Sequence, residues 1–240
     1  VSGELQRRVI AVTGATGGLG RAVATAAARE GAAVILIARH TKRLSALHGE
    51  LEAQYPGQSL MAPLDFEQAL AADYDQLADA VLNRYGKLDG LVHCAAMLGT
   101  LTPVDHYEVP LWCRVMHVNV TAAFALTQVL LPALRRSADA SIIFTSSTVG
   151  RQGRAYWGAY AVSKFAVEGL MQVLAAELGD TTTIRVNSLN PGPTRTAMRR
   201  QAFPSEDPAT LPLPESLTGP YLKLLGPRGA GITGQALNCQ

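Results

Sequence analysis

Short, almost wholly apolar runs alternate with longer helix-period segments from one end of this 240-residue chain to the other, and that alternation restricts the fold more than any other feature. The apolar runs lie at 9–12, 33–38, 60–64, 88–94, 141–145 and 184–189. They lack the apolar–polar alternation of a half-exposed strand, so they predict strands buried on both faces. Helical patterns at 21–30, 70–85, 112–134 and 160–178 separate them. Strand and helix in strict alternation predict βαβ units with right-handed crossovers. The expected architecture is a doubly wound parallel sheet between two helical layers, a Rossmann-type α/β fold occupying 1–240 as one domain.

A net charge of +2 gives no reason to expect a nucleic-acid partner. Basic clusters at 39–43 and 195–200 read as local anion sites or solvated loops. No apolar run approaches a membrane span; the nearest, 122–134, is interrupted by Thr127, Gln128 and Pro132. Cys94, Cys113 and Cys239 are scattered, form no metal-like pair, and read as reduced thiols of a cytoplasmic protein. His93, following a buried strand, reads as a core histidine, and no metal site is expected.

After the first strand comes Thr13-Gly14-Ala15-Thr16-Gly17-Gly18-Leu19-Gly20, opening a helix. Glycines there let a pyrophosphate approach the backbone, and the helix N-terminus offers unpaired N–H donors to it. Sites for NAD place an acid on the ribose about twenty residues further on. This chain has no Asp or Glu between Glu30 and Glu50, and offers Arg39, His40, Lys42 and Arg43 instead. An arginine grips a 2′-phosphate that an acid would repel, so NADP(H) is the expected cofactor.

Tyr160 and Lys164 stand four residues apart in a helical pattern and so share one face. A free phenol titrates near ~10, and an adjacent ammonium favours its ionised form. The expectation is a tyrosine acid whose pKa Lys164 lowers.

Together these motifs resemble the single-domain short-chain dehydrogenase/reductase family through nearly the whole chain. Thr13, Gly14, Gly18 and Gly20 match its glycine motif, and Tyr160 with Lys164 its Tyr-(three)-Lys pair. Ser147, thirteen residues before the tyrosine, matches its serine, and Asn119 its asparagine. The turn from Asn190 through Pro191, Gly192 and Thr194 to Thr196 is similar to its Pro-Gly-(three)-Thr, and Asp65 to its adenine-binding acid. The segments 144–160 and 194–207 resemble bacterial YciK-type oxidoreductases within that family. The resemblance implies catalysis by Asn119, Ser147, Tyr160 and Lys164. It implies cofactor contacts from Gly14, Thr16, Gly18, Leu19, Gly20, Arg39, Asp65, Phe66, Ala95, Tyr160, Lys164, Pro191, Gly192, Thr194 and Thr196. It also implies a homodimer or homotetramer, with the helices at 112–134 and 160–178 as interface candidates.

One departure stands out. Where the family has Asn-Asn-Ala-Gly, this chain has His93-Cys94-Ala95-Ala96, which predicts a tightened cofactor pocket and a lost sheet brace at Cys94.

The expected activity is hydride transfer between NADP(H) and a carbonyl or secondary alcohol of small-molecule size. Tyr160 would be the acid and Ser147 a second donor to the substrate oxygen; Asn119 would hold a water linking Lys164 to solvent. A cofactor-binding regulator without turnover is the alternative of another class, and a 3-oxoacyl-thioester reductase the alternative among enzymes. Arg195, Arg199 and Arg200 would support the latter as a carrier-docking patch. The proline-rich segment 197–220 reads as a long loop, a substrate lid.

Overall fold

A computed structural model describes residues 3–240. Strands β1 (Val9–Thr13), β2 (Ala33–Ala38), β3 (Ser59–Pro63), β4 (Gly90–His93), β5 (Ala140–Thr145), β6 (Ile184–Asn190) and β7 (Ala236–Asn238) form one sheet in the order 3-2-1-4-5-6-7. Every neighbouring pair is parallel. The helices are α1 (Gly18–Arg29), α2 (Thr41–Gln54), α3 (Ala71–Tyr85), α4 (Val109–Met116), α5 (Ala122–Leu134), α6 (Gly158–Gly179), α7 (Ala197–Ala202) and α8 (Thr218–Leu225).

Alternate residues of one strand serve two separate cores, which is why the strands are apolar at nearly every position. Val9, Ala11, Ile35, Leu91 and Phe144 pack with Val81 of α3, Leu126 and Leu130 of α5, and Met171 of α6. Ile10, Val12, Leu36, Val92 and Ile143 pack on the other face with Val23 of α1, Leu44 of α2, and Tyr221 and Leu225 of α8. The expected three-layer architecture is present, with the chain's direction of travel reversing at β1/β4. That reversal opens a crevice at the strands' carboxyl ends.

The structure departs from the sequence expectations in three places. The segment 197–220 is not an unstructured loop: it holds α7, single 3₁₀ turns at Pro208–Thr210 and Pro214–Leu217, and the start of α8. Pro208 and Pro214 open those turns, where a missing N–H costs nothing. The helix expected at 112–134 begins at Val109 and runs unbroken to Leu134 through a π turn at His117–Thr121. Its 26 residues, with an 18-residue window of mean hydropathy 1.4, meet the length and composition of a membrane span, contrary to the reading of 122–134 alone. Here it is a layer helix, with Leu126, Leu130 and Leu134 fully inside the core. Finally, β7 is a three-residue edge strand too short to show a pattern.

The amino edge of the sheet hangs on Asp89, which is buried. It accepts hydrogen bonds from Val9 N (2.8 Å), Lys87 Nζ (2.9 Å) and Ser137 Oγ (2.6 Å), joining β1, β4 and the α5–β5 loop. Asp89→Ala would strand a buried N–H and a hydroxyl and should cost about 3 kcal/mol in urea unfolding. Cofactor affinity per folded molecule should stay unchanged, because the crevice is at the other end of the strands. A cost below about 1 kcal/mol would show the bonds to be expendable.

Candidate active site

A cleft of about 1130 Å³ runs across the carboxyl ends of the strands, and every sequence-predicted contact residue but Asn119 lines it. Its floor is the turn after β1. Gly14 has φ +63°, and a Cβ there would come within 2.9 Å of the Ala95 backbone. A Cβ on Gly20 would lie 2.3 Å from Gly14 O, so the turn closes onto α1 only with glycine. Thr13 Oγ1 accepts from both Cys94 N and Ala95 N at 3.0 Å, bridging the β1 and β4 ends beside that turn. The bare α1 N-terminus and a cradle that side chains would fill suit a dinucleotide pyrophosphate.

At one end of the cleft stand Arg39, His40 and Arg43, with Asp65 and buried Phe66 beside them. Sequence reading missed an acid here. Glu67 lies 3.9 Å from Arg39, although its closer partner is Arg114 at 2.6 Å. Over the glycine turn sits the 190–196 segment. Gly192 turns it with φ +72°, its N–H bonded to Asn190 Oδ1, and Thr196 caps α7 by accepting from Arg199 N. The Thr196 methyl would lie only 3.0 Å from a Cβ on Gly18.

Tyr160 and Lys164 occupy the first turns of α6, both buried, with Lys164 Nζ 5.6 Å from the Tyr160 ring centroid. Lys164 Nζ donates to Thr145 O (2.8 Å), the last residue of β5, and Ser147 follows two residues on. The site is thus built where β5 ends and α6 begins. Tyr156, with φ +73°, turns the chain into α6, and its carbonyl accepts from Thr102 N at 3.0 Å. Trp157, half-buried, tilts against Tyr160 with 5.9 Å between centroids and walls the cleft.

Asn119 lies in the π turn, where helices often carry function. Its Oδ1 accepts from Met97 N (2.7 Å), and its Nδ2 donates to Met97 O and Ser163 Oγ (both 2.9 Å). Ser163 Oγ in turn donates to Tyr160 O (2.8 Å). Both Asn119 side-chain donor hydrogens are therefore spent on bracing the β4 exit and the Tyr160 turn. Nothing in the sequence marks Met97 or Ser163 as its partners.

Burial dominates the titration of the pair. It pushes the Tyr160 phenol up to about 12, with only a Ser147 hydrogen bond pulling the other way. It pushes the Lys164 ammonium down to about 8, against the raising influence of Cys94 and Glu168. The expected lowering of the tyrosine pKa by Lys164 is absent here: burial raises it, and Ser147 is the group that acts against that rise. His93 is the satisfied core histidine that was expected: it bonds Thr127 Oγ1 at 2.9 Å, stacks on Phe144, and burial pushes it down to about 3.

The β4 departure is milder than the sequence suggests. Ala96 has no left-handed backbone, so a Cβ adds no strain, and it packs with Leu98, Val149 and Tyr160. Cys94 Sγ lies 3.3 Å from Thr145 Oγ1, which reaches Tyr221 Oη at 3.1 Å. A thiol–hydroxyl chain thus braces the sheet where an amide was expected.

A sequence model of the short chain dehydrogenase family matches residues 8–207. The uncharacterized oxidoreductase YciK of Escherichia coli strain K12 is 45% identical over 236 residues, 98% of this chain and 93% of that protein. A solved chain from Pseudomonas syringae, 50% identical, superposes with a TM-score of 0.98 over 100% of this chain and 97% of its own length. Another, from Shigella flexneri and complexed with NADP, is 44% identical with a TM-score of 0.97 over the whole of both chains.

Holding Lys164 charged in the core destabilises the fold, and the sign follows from its depressed pKa. Between pH 8 and 10.5 the unfolded chain binds more protons than the folded one, so stability rises with pH in that window. Lys164→Met should therefore raise stability by on the order of 3 kcal/mol below pH 8, a gain that fades above pH 10. Denaturant titrations of both proteins at pH 7 and pH 10.5 check this; equal gains at the two pH values would contradict it.

Proposed function

The chain belongs to the short-chain dehydrogenase family, and on that premise we propose that it is an NADP(H)-dependent oxidoreductase interconverting a carbonyl and a secondary alcohol. The observation that carries this reading is the buried Tyr160–Lys164 pair, with Ser147 acting on the phenol, facing the same cleft as the glycine turn. A protein that only bound a dinucleotide would have no need of a buried phenol and ammonium at such cost in desolvation.

The cofactor is NADP(H), as in the Shigella relative. Its pyrophosphate would lie on the Gly14–Gly20 backbone, its 2′-phosphate against Arg39 and Arg43, and its adenine beside Asp65 and Phe66. Pro191, Gly192, Thr194 and Thr196 are assigned to the carboxamide, Ala95 and Lys164 to the ribose. When bound, the nicotinamide supplies or accepts the hydride.

This chain's residues handle the proton. Ser147 hydrogen-bonds the substrate oxygen and fixes its position. Tyr160 carries its proton at neutral pH, as a phenol does, and is the acid of carbonyl reduction; burial makes the phenolate it leaves costly. Lys164, still charged at pH 7, keeps the phenolate left behind electrostatically tolerable and can return a proton to it. Asn119 positions both by clamping the Met97 loop to the Tyr160 turn. Segment 197–220 is the lid: Met198 and Ala202 pack with Leu98 and Tyr160.

Of the basic patch behind the carrier-docking alternative, Arg200 is exposed and without an ion pair among the described residues, while the other two are engaged. Arg195 donates to Ala209 O and Leu211 O, and Arg199 is paired with Glu206. Copies of the chain would associate through α5 and α6, where Phe124, Val162, Phe165 and Val173 are exposed. Bacterial relatives and three free thiols agree with a cytoplasmic setting.

Tyr160→Phe should lower turnover of a carbonyl substrate roughly 10²–10⁴-fold with NADPH binding kept. Oxidation of NADPH over a panel of ketones and aldehydes tests it, and retained turnover would refute the role. Arg39→Ala should weaken NADPH by about tenfold or more while leaving NADH nearly unchanged; equal losses in the two titrations would sink the 2′-phosphate assignment.

A further inference from the structure

Beyond the cofactor and the acid–base pair, the substrate end of the cleft carries one charge that nothing neutralises. Leu98, Val149, Trp157, Met198 and Phe203 give its walls a large apolar share, beside the neutral polar Gln152 and Gln201. Arg154 stands among them, exposed, with no ion pair and no side-chain hydrogen bond among the described residues. The other guanidinium at this end, Arg199, is already paired with Glu206. Among the described residues the only acid lining the cleft, Asp65, stands beside Arg39 and Phe66 at its other end. Nothing built into the site therefore balances Arg154.

Its direction is nonetheless set. The Arg154 guanidinium lies 5.8 Å from the Trp157 ring and 5.5 Å from the Phe203 ring, and those rings are 5.7 Å apart. The arginine's flat head borders both rings without using its N–H donors; Phe203 is stacked more closely by Arg199, at 3.7 Å, so Trp157 is the ring left to steer Arg154 before any ligand arrives. Trp157 also touches Tyr160, with 5.9 Å between ring centroids. One aromatic ring thus separates the charge from the proton donor, and both open into the same apolar space.

We propose that Arg154 binds the carboxylate of the substrate, and that the compound reduced here is an oxo-carboxylate with an apolar body between its carbonyl and its acid. The proposal rests on the reductase reading above and names the substrate class of that site. A guanidinium fork matches a carboxylate in a bidentate fashion. A single unpaired cation balances one negative charge, whereas a phosphate dianion would be left under-compensated. The carbonyl would become a hydroxyl, with NADPH giving the hydride and Tyr160 the proton, while the carboxylate stays chemically unchanged.

Calorimetric titration of octanoate and octanamide into the NADP⁺-saturated protein tests the anchor without requiring turnover. Wild type should bind octanoate about tenfold more tightly than the neutral amide, a preference that narrows as salt rises. Arg154→Gln should erase the preference and leave octanamide affinity unchanged, and Arg154→Lys should restore part of it. A ratio near one in wild type, no measurable octanoate binding, or a preference that survives Arg154→Gln overturns the proposal. NADPH oxidation with 7-oxooctanoate and its methyl ester then separates this inference from its premise. Preference for the acid, lost in Arg154→Gln, supports both. Arg154-dependent octanoate binding with no reduction of any carbonyl would overturn the reductase reading and leave the anion site standing.

Discussion

The burial of Lys164 is the constraint around which the rest of the molecule is arranged. An ammonium at that depth needs acceptors, and the fold supplies them from several directions. Thr145 O takes a hydrogen bond from the end of β5, and Glu168, one turn along α6, adds its field. Glu168 is itself buried and is held by Arg151 and Ser188, so the ammonium is tied through it to β6. Tyr160 can share the pocket only because α6 starts immediately after the loop leaving β5. The Tyr160–Lys164 geometry is thus a consequence of where one strand ends and one helix begins.

The same junction places the phenol in a dry environment. Desolvation of the phenolate pushes its pKa up to about 12, so an ionised Tyr160 needs positive charge close by. The segment 197–220 adds to this burial. Met198 and Ala202 cover Tyr160, while the Arg154–Trp157–Phe203 stack joins the loop before α6 to the segment after α7. Excluding water there strengthens each charge that remains inside.

Most of the fold was legible because two-sided burial of a parallel sheet writes itself as unbroken apolar runs. Helix and strand boundaries fell within a few residues for the same reason. The glycine turn and the Tyr160–Lys164 pair were legible through spacing, and the family resemblance added Ser147, Asp65 and the 190–196 turn, all of which line the one cleft. What stayed hidden depends on contacts between distant parts of the chain. Glu67 sits thirty-seven residues beyond Glu30, outside the interval in which an acid was sought, and reaches Arg39 only because β3 lies next to β2. The engagement of Asn119 with Met97 and Ser163 joins three separate elements. The structure in 197–220 escaped because five prolines look like a broken loop when two of them are helix-opening residues.

Glu67 raises the question of whether Arg39 is free to grip a phosphate at all. Its carboxylate faces two guanidiniums, but the distances are unequal: 2.6 Å to Arg114 and 3.9 Å to Arg39. The shorter contact is a close ion pair, and the longer one is a weak, half-exposed attraction worth well under about 1 kcal/mol. Arg114 therefore holds Glu67 in place and spares Arg39, whose guanidinium also lies against His40 at 3.3 Å. A 2′-phosphate, with up to two negative charges, would outcompete that distant carboxylate easily. The acid so near the site does not convert it to an NAD site, because a ribose-binding acid must itself be available to the sugar hydroxyls. This one is already paired with an arginine from α4, so the proposed 2′-phosphate contact at Arg39 depends on Arg114 holding Glu67 as well as on Arg39 itself.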